Sequence, residues 1–247
     1  MIVCALYHLK GGVGKTTAAV NLAYLASQTI GPTLLCDLDP QGAASFLLRS
    51  DSSNTTAKKI LKGDRIERLI VQSNYENLFL LPASVTHREM DIRLDRREHP
   101  KRGFADAFAP LRNKYELLVI DSPPSISLQA DNIFFIADYL FVPIIPSPLS
   151  IESYSMVRKR IQEKKRRKPR TFGFYALVDR RKKMHRKLVD TSSDNDTMFR
   201  SFIPYSSVVE EMSIRRAPIF AYANTSRPAT AYRELWGEMM SLLVPNR

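Results

Sequence analysis

One stretch constrains this chain more than any other: His-Leu-Lys-Gly-Gly-Val-Gly-Lys-Thr-Thr, residues 8–17. A short apolar run, Ile2 to Tyr7, leads into it, and a helix-forming run, Ala18 to Ala26, leads out. Strand, glycine-rich turn and helix start are the context that a phosphate-binding loop requires. Glycines let backbone N–H groups close around an anion, and a helix starting near Lys15 adds unpaired N–H groups and the positive end of its dipole. In that setting Lys15 reaches the β- and γ-phosphates and the Thr16 hydroxyl holds Mg²⁺. The strict pattern G-x-x-x-x-G-K-[ST] fails at position 9, which is Leu, and a second lysine, Lys10, stands at the front of the loop.

The rest of the chain reads as a doubly wound α/β domain. Pro32 to Asp37 and Tyr115 to Asp121 are continuous apolar runs, each ending in a carboxylate, and Leu78 to Pro82 and Tyr139 to Ile145 are further short runs. Continuous rather than alternating hydrophobicity predicts a parallel sheet covered on both faces. Helices are expected within 45–62, over 86–97, 102–112 and 128–137, from Ser150 to Lys168 where Pro169 stops the run, and from Pro228 to Leu243. Strands are expected at 171–178 and 202–204. No repeat or low-complexity linker divides the 247 residues, so a single P-loop NTPase-type domain over 1–247 is expected, with helices on both faces of a mostly parallel sheet.

Ligands in such sheets bind at the carboxyl ends of the strands, where the 8–17 loop, Asp37, Asp39 and Asp121 all fall. Asp121, followed by Ser122-Pro123-Pro124, is a Walker B-like carboxylate for Mg²⁺. Asp37 and Asp39, two apart in an extended segment, are expected to share a side near the metal. Cys4 and Cys36 lie in predicted buried strands, and the four scattered histidines show no metal-ligand spacing.

Three motifs, Lys10-Gly-Gly-Val-Gly-Lys-Thr-Thr17, Asp37-Leu-Asp-Pro-Gln-Gly42 and Asp121-Ser-Pro-Pro-Ser125, in this order and spacing, resemble the ParA family of deviant Walker ATPases that partition plasmids and chromosomes. MinD, the nitrogenase iron protein and the cobyrinic acid synthases are more distant relatives of that family. The resemblance covers nearly the whole chain, including Tyr175 to Arg181, Ile203 to Glu211 and Ala231 to Leu235. It implies an ATP- and Mg²⁺-dependent, slow, partner-stimulated ATPase. Lys10 matches the signature lysine that reaches the partner's phosphates across a nucleotide-sandwich homodimer. Gly11, Gly12, Val13, Gly14, Lys15, Thr16 and Thr17 form the phosphate loop. Asp39 matches the carboxylate that positions the attacking water beside the metal, with Thr16 and Asp121 supporting Mg²⁺. Pro204 matches the adenine-facing loop. His8-Leu9, in place of the polar pair that usually precedes the signature lysine, puts the contacts beside that lysine in question.

Net charge is +12, and residues 151–187 carry all of it, with fifteen Lys/Arg against three Asp/Glu. Such a concentration points to a polyanion partner. The candidates are Arg158, Lys159, Lys164 and Lys165, then Arg180, Arg181, Arg186 and Lys187, with Arg215 and Arg216 after a short helix. With no base-reading motif, the resemblance implies non-specific DNA binding in the ATP state, a ParB-like or other centromere-binding adaptor, and a cytoplasmic, nucleoid-associated location. A MinD-like membrane reading wants a basic C-terminal amphipathic helix, yet no Lys/Arg occurs between Arg233 and Arg247. The last helix is therefore expected to dock on the core. An amidoligase like cobyrinic acid synthase wants a glutaminase cysteine, and an iron protein wants interface cysteines; neither Cys4 nor Cys36 sits in such a context.

Overall fold

The computed structural model describes residues 1–49, 55–63, 65–164, 167–191 and 196–244. The apolar runs become the strands β1 (Ile2–Leu6), β2 (Thr33–Asp37), β4 (Leu78–Leu81), β5 (Leu117–Asp121), β6 (Tyr139–Ile144) and β7 (Arg170–Tyr175). They lie in one sheet of order β3-β4-β2-β5-β1-β6-β7, parallel throughout except for the two-residue edge strand β3 (Val71–Gln72). Every residue of β2 and β5 is buried, as their unbroken hydrophobicity demands of central strands covered on both faces.

Two apolar layers flank the sheet. One holds α1 (Lys15–Thr29), α2 (Ala43–Leu47), α9 (Ser207–Arg215) and α10 (Arg227–Leu243). The other holds α3 (Ala57–Lys62), α4 (Met90–Asp95), α5 (Gly103–Phe108), α6 (Leu128–Ile136) and α7 (Pro148–Gln162), with α8 (Lys183–Asp190) resting on it through Leu188 and Val189. Serines start four of these helices: Ser127, Ser147, Ser206 and Ser226 accept N–H bonds from the first turns of α6, α7, α9 and α10. The last helix docks as expected. Its Leu235, Trp236, Met239 and Leu243 are buried, Trp236 Nε1 donates to Thr29 Oγ1 at 3.0 Å, and Tyr139 Oη donates to the Leu242 carbonyl.

Three elements differ from expectation. Helix α7 ends at Gln162, not Lys168, and Lys164, just past it, reaches Asp131 at 2.6 Å, beside Arg160 of the last turn. Successive like charges gain nothing by stacking on one helix. Residues 86–97 and 102–112 break into short α and 3-10 turns around Pro100 and Pro110. Residues 202–204 make only a bridge, Val178 to Pro204, at the β7 edge.

One packing detail links distant segments. Arg49, just past α2, donates Nη2 to the Arg215 carbonyl (2.8 Å) and Nε to the Arg216 carbonyl (3.2 Å), closing the end of α9. Arg216, just past α9, donates Nε to the Phe46 carbonyl (3.0 Å) and lies 4.6 Å over the Phe46 ring, closing the end of α2. Both arginines adopt left-handed backbone, at φ 57° and 49°, a conformation uncommon outside glycine that tertiary contacts must hold in place.

Candidate nucleotide site

The loop between β1 and α1 turns as the sequence requires. Gly12 and Gly14 have φ of 72° and 91°, which side-chain-bearing residues resist, and Gly14 closes the loop directly onto α1. A Cβ on Gly11 or Gly12 would meet nothing within 4 Å, so the backbone of the loop faces open space on that side. His8, noticed in the sequence only as a departure, organises the front of the loop: its Nδ1 accepts the Lys10 N–H at 2.9 Å. Burial, helped by the neighbouring Lys15 charge, holds His8 down to about 4, so the ring is neutral and can accept.

Lys15 is 6% exposed and donates Nζ to the Lys10 carbonyl at 2.9 Å, so the two lysines of the motif sit together. Burial lowers its pKa, while Asp121 and Asp39 pull it back up. Both carboxylates are therefore close enough for their charge to act on the ammonium. Thr16 and Thr17 open α1, and the Thr17 carbonyl accepts from Asn21, which also fixes Ile219 through its Oδ1.

Asp121 ends β5 opposite Leu6 and Asp37 in the register. It is fully buried, and neither carboxylate oxygen has a hydrogen-bond partner of good geometry among the described residues. Burial raises its pKa well above the usual carboxylate range, with Asp37 adding to the shift, and the nearby Thr16 hydroxyl and Lys15 opposing it. A buried, unpartnered carboxylate beside a threonine hydroxyl and an ammonium is costly unless a cation or donor completes it. Thr16 and Asp121 thus fit Mg²⁺. Among the described residues no cluster of three His, Cys, Asp or Glu forms a ready-made cage, and Mg²⁺ usually completes its shell with water and phosphate oxygens.

Asp39 is half-buried and accepts from the Gln41 N–H at 2.9 Å. Asp37 lies beside Asp121 in the register and adds to the rise of its pKa, and its Oδ1 accepts the Asp39 N–H at 3.3 Å. Its Oδ2 accepts from Ser45 N (2.8 Å) and Ser45 Oγ (2.7 Å), supplying the cap that Gly42 cannot give α2, and burial lifts its pKa to about 6. The same Ser45 hydroxyl accepts from Ala83 N, tying the β2 turn to the end of β4.

Pro204 lies at the end of β7, where Val178 N donates to the Ile203 carbonyl and Tyr205 N to the Val178 carbonyl. Ala176, on the same segment, is the residue a Cβ on Gly14 would meet, at 3.8 Å, which brings this edge beside the loop.

The candidate polyanion residues do not form one face. Arg158, 5.8 Å over Tyr154, and Lys159 ride on α7. Lys164 is bound to Asp131, and Lys165 lies outside the described residues. Arg180, Arg181, Arg186 and Lys187 cluster around the start of α8, where Arg186 donates to the Arg180 carbonyl and Arg181 grips Asp179 through two nitrogens. Arg215 ends α9 and Arg216 follows it, in the opposite layer from α7.

Comparison with known proteins agrees with this geometry. The AAA domain family model matches residues 1–172. The chromosome-partitioning ATPase Soj of Treponema pallidum is 27% identical over 94% of this chain and 94% of its own length. A putative plasmid partition protein from Borrelia burgdorferi B31, crystallised with AMPPNP, superposes with a TM-score of 0.85 at 21% identity, covering 98% of this chain and 99% of that one. The septum site-determining protein MinD of Pyrococcus horikoshii OT3, in complex with Mg-ADP, superposes at 0.80 with 21% identity over 100% and 98%. The sequence motifs, the loop between β1 and α1 and these likenesses agree: the chain belongs to the AAA domain family, as a P-loop ATPase of the ParA/MinD type.

Proposed function

We propose that this chain, as one domain over 1–247, is a partition-type ATPase that binds Mg²⁺-ATP in the 8–17 loop, pairs into a nucleotide-sandwich homodimer and engages DNA without sequence preference in that state. The observation that carries the reading is Asp121, buried with an unpartnered carboxylate beside Thr16, Lys15 and Asp39. Mg²⁺ held by Thr16 and Asp121 would neutralise charge on the transferring phosphoryl group. Backbone N–H groups of Gly11 to Thr17 orient the phosphates, and Lys15 leaves the Lys10 carbonyl for a phosphate oxygen. Asp39 orients the attacking water. Lys10, at the rim of the loop, supplies its charge to the second copy's phosphates, and Pro204 borders the adenine. Partition relatives and MinD-like folds support ATP turnover that responds to an adaptor, of ParB-like or centromere-binding kind, on the nucleoid in the cytoplasm.

The test is turnover and nucleotide affinity in Lys10→Ala. We expect ATP affinity to persist while turnover falls by roughly 10³ or more, the scale of a transition-state cation supplied in trans. Turnover at the level of the unmodified protein overturns the role of Lys10. An ATP-dependent shift of duplex DNA tests the DNA arm separately.

A further inference from the structure

The turn at Pro100–Arg102, helix α6 and the end of α7 enclose a groove of about 490 Å³. Five cations line it: Lys101 and Arg102 from the turn, and Arg160, Lys164 and Arg167 from α7 and the segment after it. Two carboxylates stand against them, Asp131 of α6 and the exposed Glu163. Asp131 is already held twice, by Arg160 at 2.9 Å and Lys164 at 2.6 Å. The cations therefore outlast the acids. Lys101 and Arg102 are exposed and take part in no ion pair among the described residues. Arg167 gives one nitrogen to Asp138, and its side chain stays 54% exposed.

Between these charges the groove is apolar. Phe135 of α6 is half-buried, packs on the core and lines the groove. The methylene stems of the surrounding lysines and arginines add apolar wall while their charged heads reach water. The result is an apolar seat ringed by cations. No residue of the 8–17 loop lines it, so it is separate from the nucleotide site.

We propose that this groove docks an acidic peptide segment of a partner protein, with an apolar side chain seated on Phe135 and flanking carboxylates on Lys101, Arg102 and Arg167. Charge complementarity selects the acid: the uncommitted heads are all cationic, and the Arg167 guanidinium keeps donors free beyond the one given to Asp138. Exposed ion pairs contribute little each, so the apolar anchor supplies affinity and the charges supply selectivity. A nucleic-acid strand fits less well. Its phosphates would meet Asp131 and Glu163, and Phe135 offers a phosphate no donor. A lipid surface needs an apolar face to bury, whereas this seat is recessed between charges.

The experiment selects displayed random short peptides on the immobilised full chain and discards those also held by the variant Lys101→Glu with Arg102→Glu. The survivors are then titrated by fluorescence anisotropy. We expect survivors to carry Asp or Glu on both sides of a Phe, Leu or Ile. Their affinity should fall by roughly tenfold or more in the charge-reversed variant, where repulsion replaces attraction, and by less in Lys101→Ala with Arg102→Ala. Serine in place of the peptide's apolar residue should abolish binding. The inference falls if no peptide survives, if survivors lack acids, or if the serine peptide binds as well as its parent. It falls if Lys182→Glu with Lys183→Glu, at the start of α8, weakens binding equally, since the peptide would then answer only to net charge. It falls too if a random-sequence duplex displaces the peptide and itself loses affinity in the Lys101→Glu, Arg102→Glu variant, which would make the groove a nucleic-acid seat. None of the peptide readouts needs nucleotide, so docking and the partition reading stand or fall separately.

Discussion

Asp121 carries the sharpest residue-scale consequence. A fully buried carboxylate with no well-placed hydrogen-bond partner among the described residues costs stability that the nearby Thr16 hydroxyl and Lys15 charge only partly offset. Asp121→Asn removes the charge at constant shape, and should raise stability without nucleotide by about 1–3 kcal/mol while abolishing Mg²⁺-dependent turnover. Urea unfolding and phosphate release check the two halves. His87 gives a pH prediction. It is buried, both ring nitrogens lack partners among the described residues, and burial lowers it from 6.5 to about 4. A depressed folded-state value means that its neutral form favours folding above pH 6.5, and that this contribution is lost as pH falls toward 4. By pH 5 the loss is on the order of 2 kcal/mol. His87→Met should flatten the urea midpoint between pH 7 and pH 5 relative to the unmodified protein; an unchanged slope there would contradict the buried-neutral assignment. At this scale the sequence was informative where spacing encodes chemistry. Lys10 and Lys15 are in contact through the Lys10 carbonyl, and the charges of Asp39 and Asp121 act on Lys15. It was silent where tertiary contact decides. Nothing in the order of residues says that Asp37 turns to Ser45, eight positions on, or that His8 accepts a hydrogen bond from the Lys10 N–H.

Among elements, the buried strands were legible because short apolar runs rich in branched residues, each bounded by turn residues or a carboxylate, suit the central strands of a covered sheet. Strand β3 was not, since two residues carry no period. The end of α7 was misplaced because Pro169 is the visible stop in the sequence, whereas the helix ends at Gln162, seven residues before it. The mutual closure of α2 and α9 is likewise a contact between segments that only the fold brings together. Because each arginine seals the helix that the other follows, the two ends should fray as a unit. Arg49→Ala should lower Tm by about 2–4 °C and raise amide exchange in both helices. Paired with Arg216→Gly it should cost less than the sum of the single changes, the signature of one shared interaction. Exchange that rises in α9 alone would show the two ends to be independent.

For the molecule as a whole, both apolar layers share the backbone of a single seven-stranded sheet, so neither layer can dissolve and leave the other intact. Thermal unfolding followed by tryptophan fluorescence and by far-ultraviolet circular dichroism should therefore give coincident transitions; two separate midpoints would divide the chain into independent units. The overall architecture was readable from the alternation of strand and helix patterns, whereas the basic surface was not. Composition counts charges, but only the fold reveals that Asp131, Asp138 and Asp179 have already claimed several of them. The fold also supplies an optical probe. The single tryptophan, Trp236, donates to Thr29 at the last residue of α1, and the first residue of α1 is Lys15 of the phosphate loop. A rigid rod of about 22 Å therefore joins the loop to the chromophore. Events at the γ-phosphate that slide or tilt this rod will register as a change in indole emission, making the unlabelled protein a reporter of its own catalytic cycle.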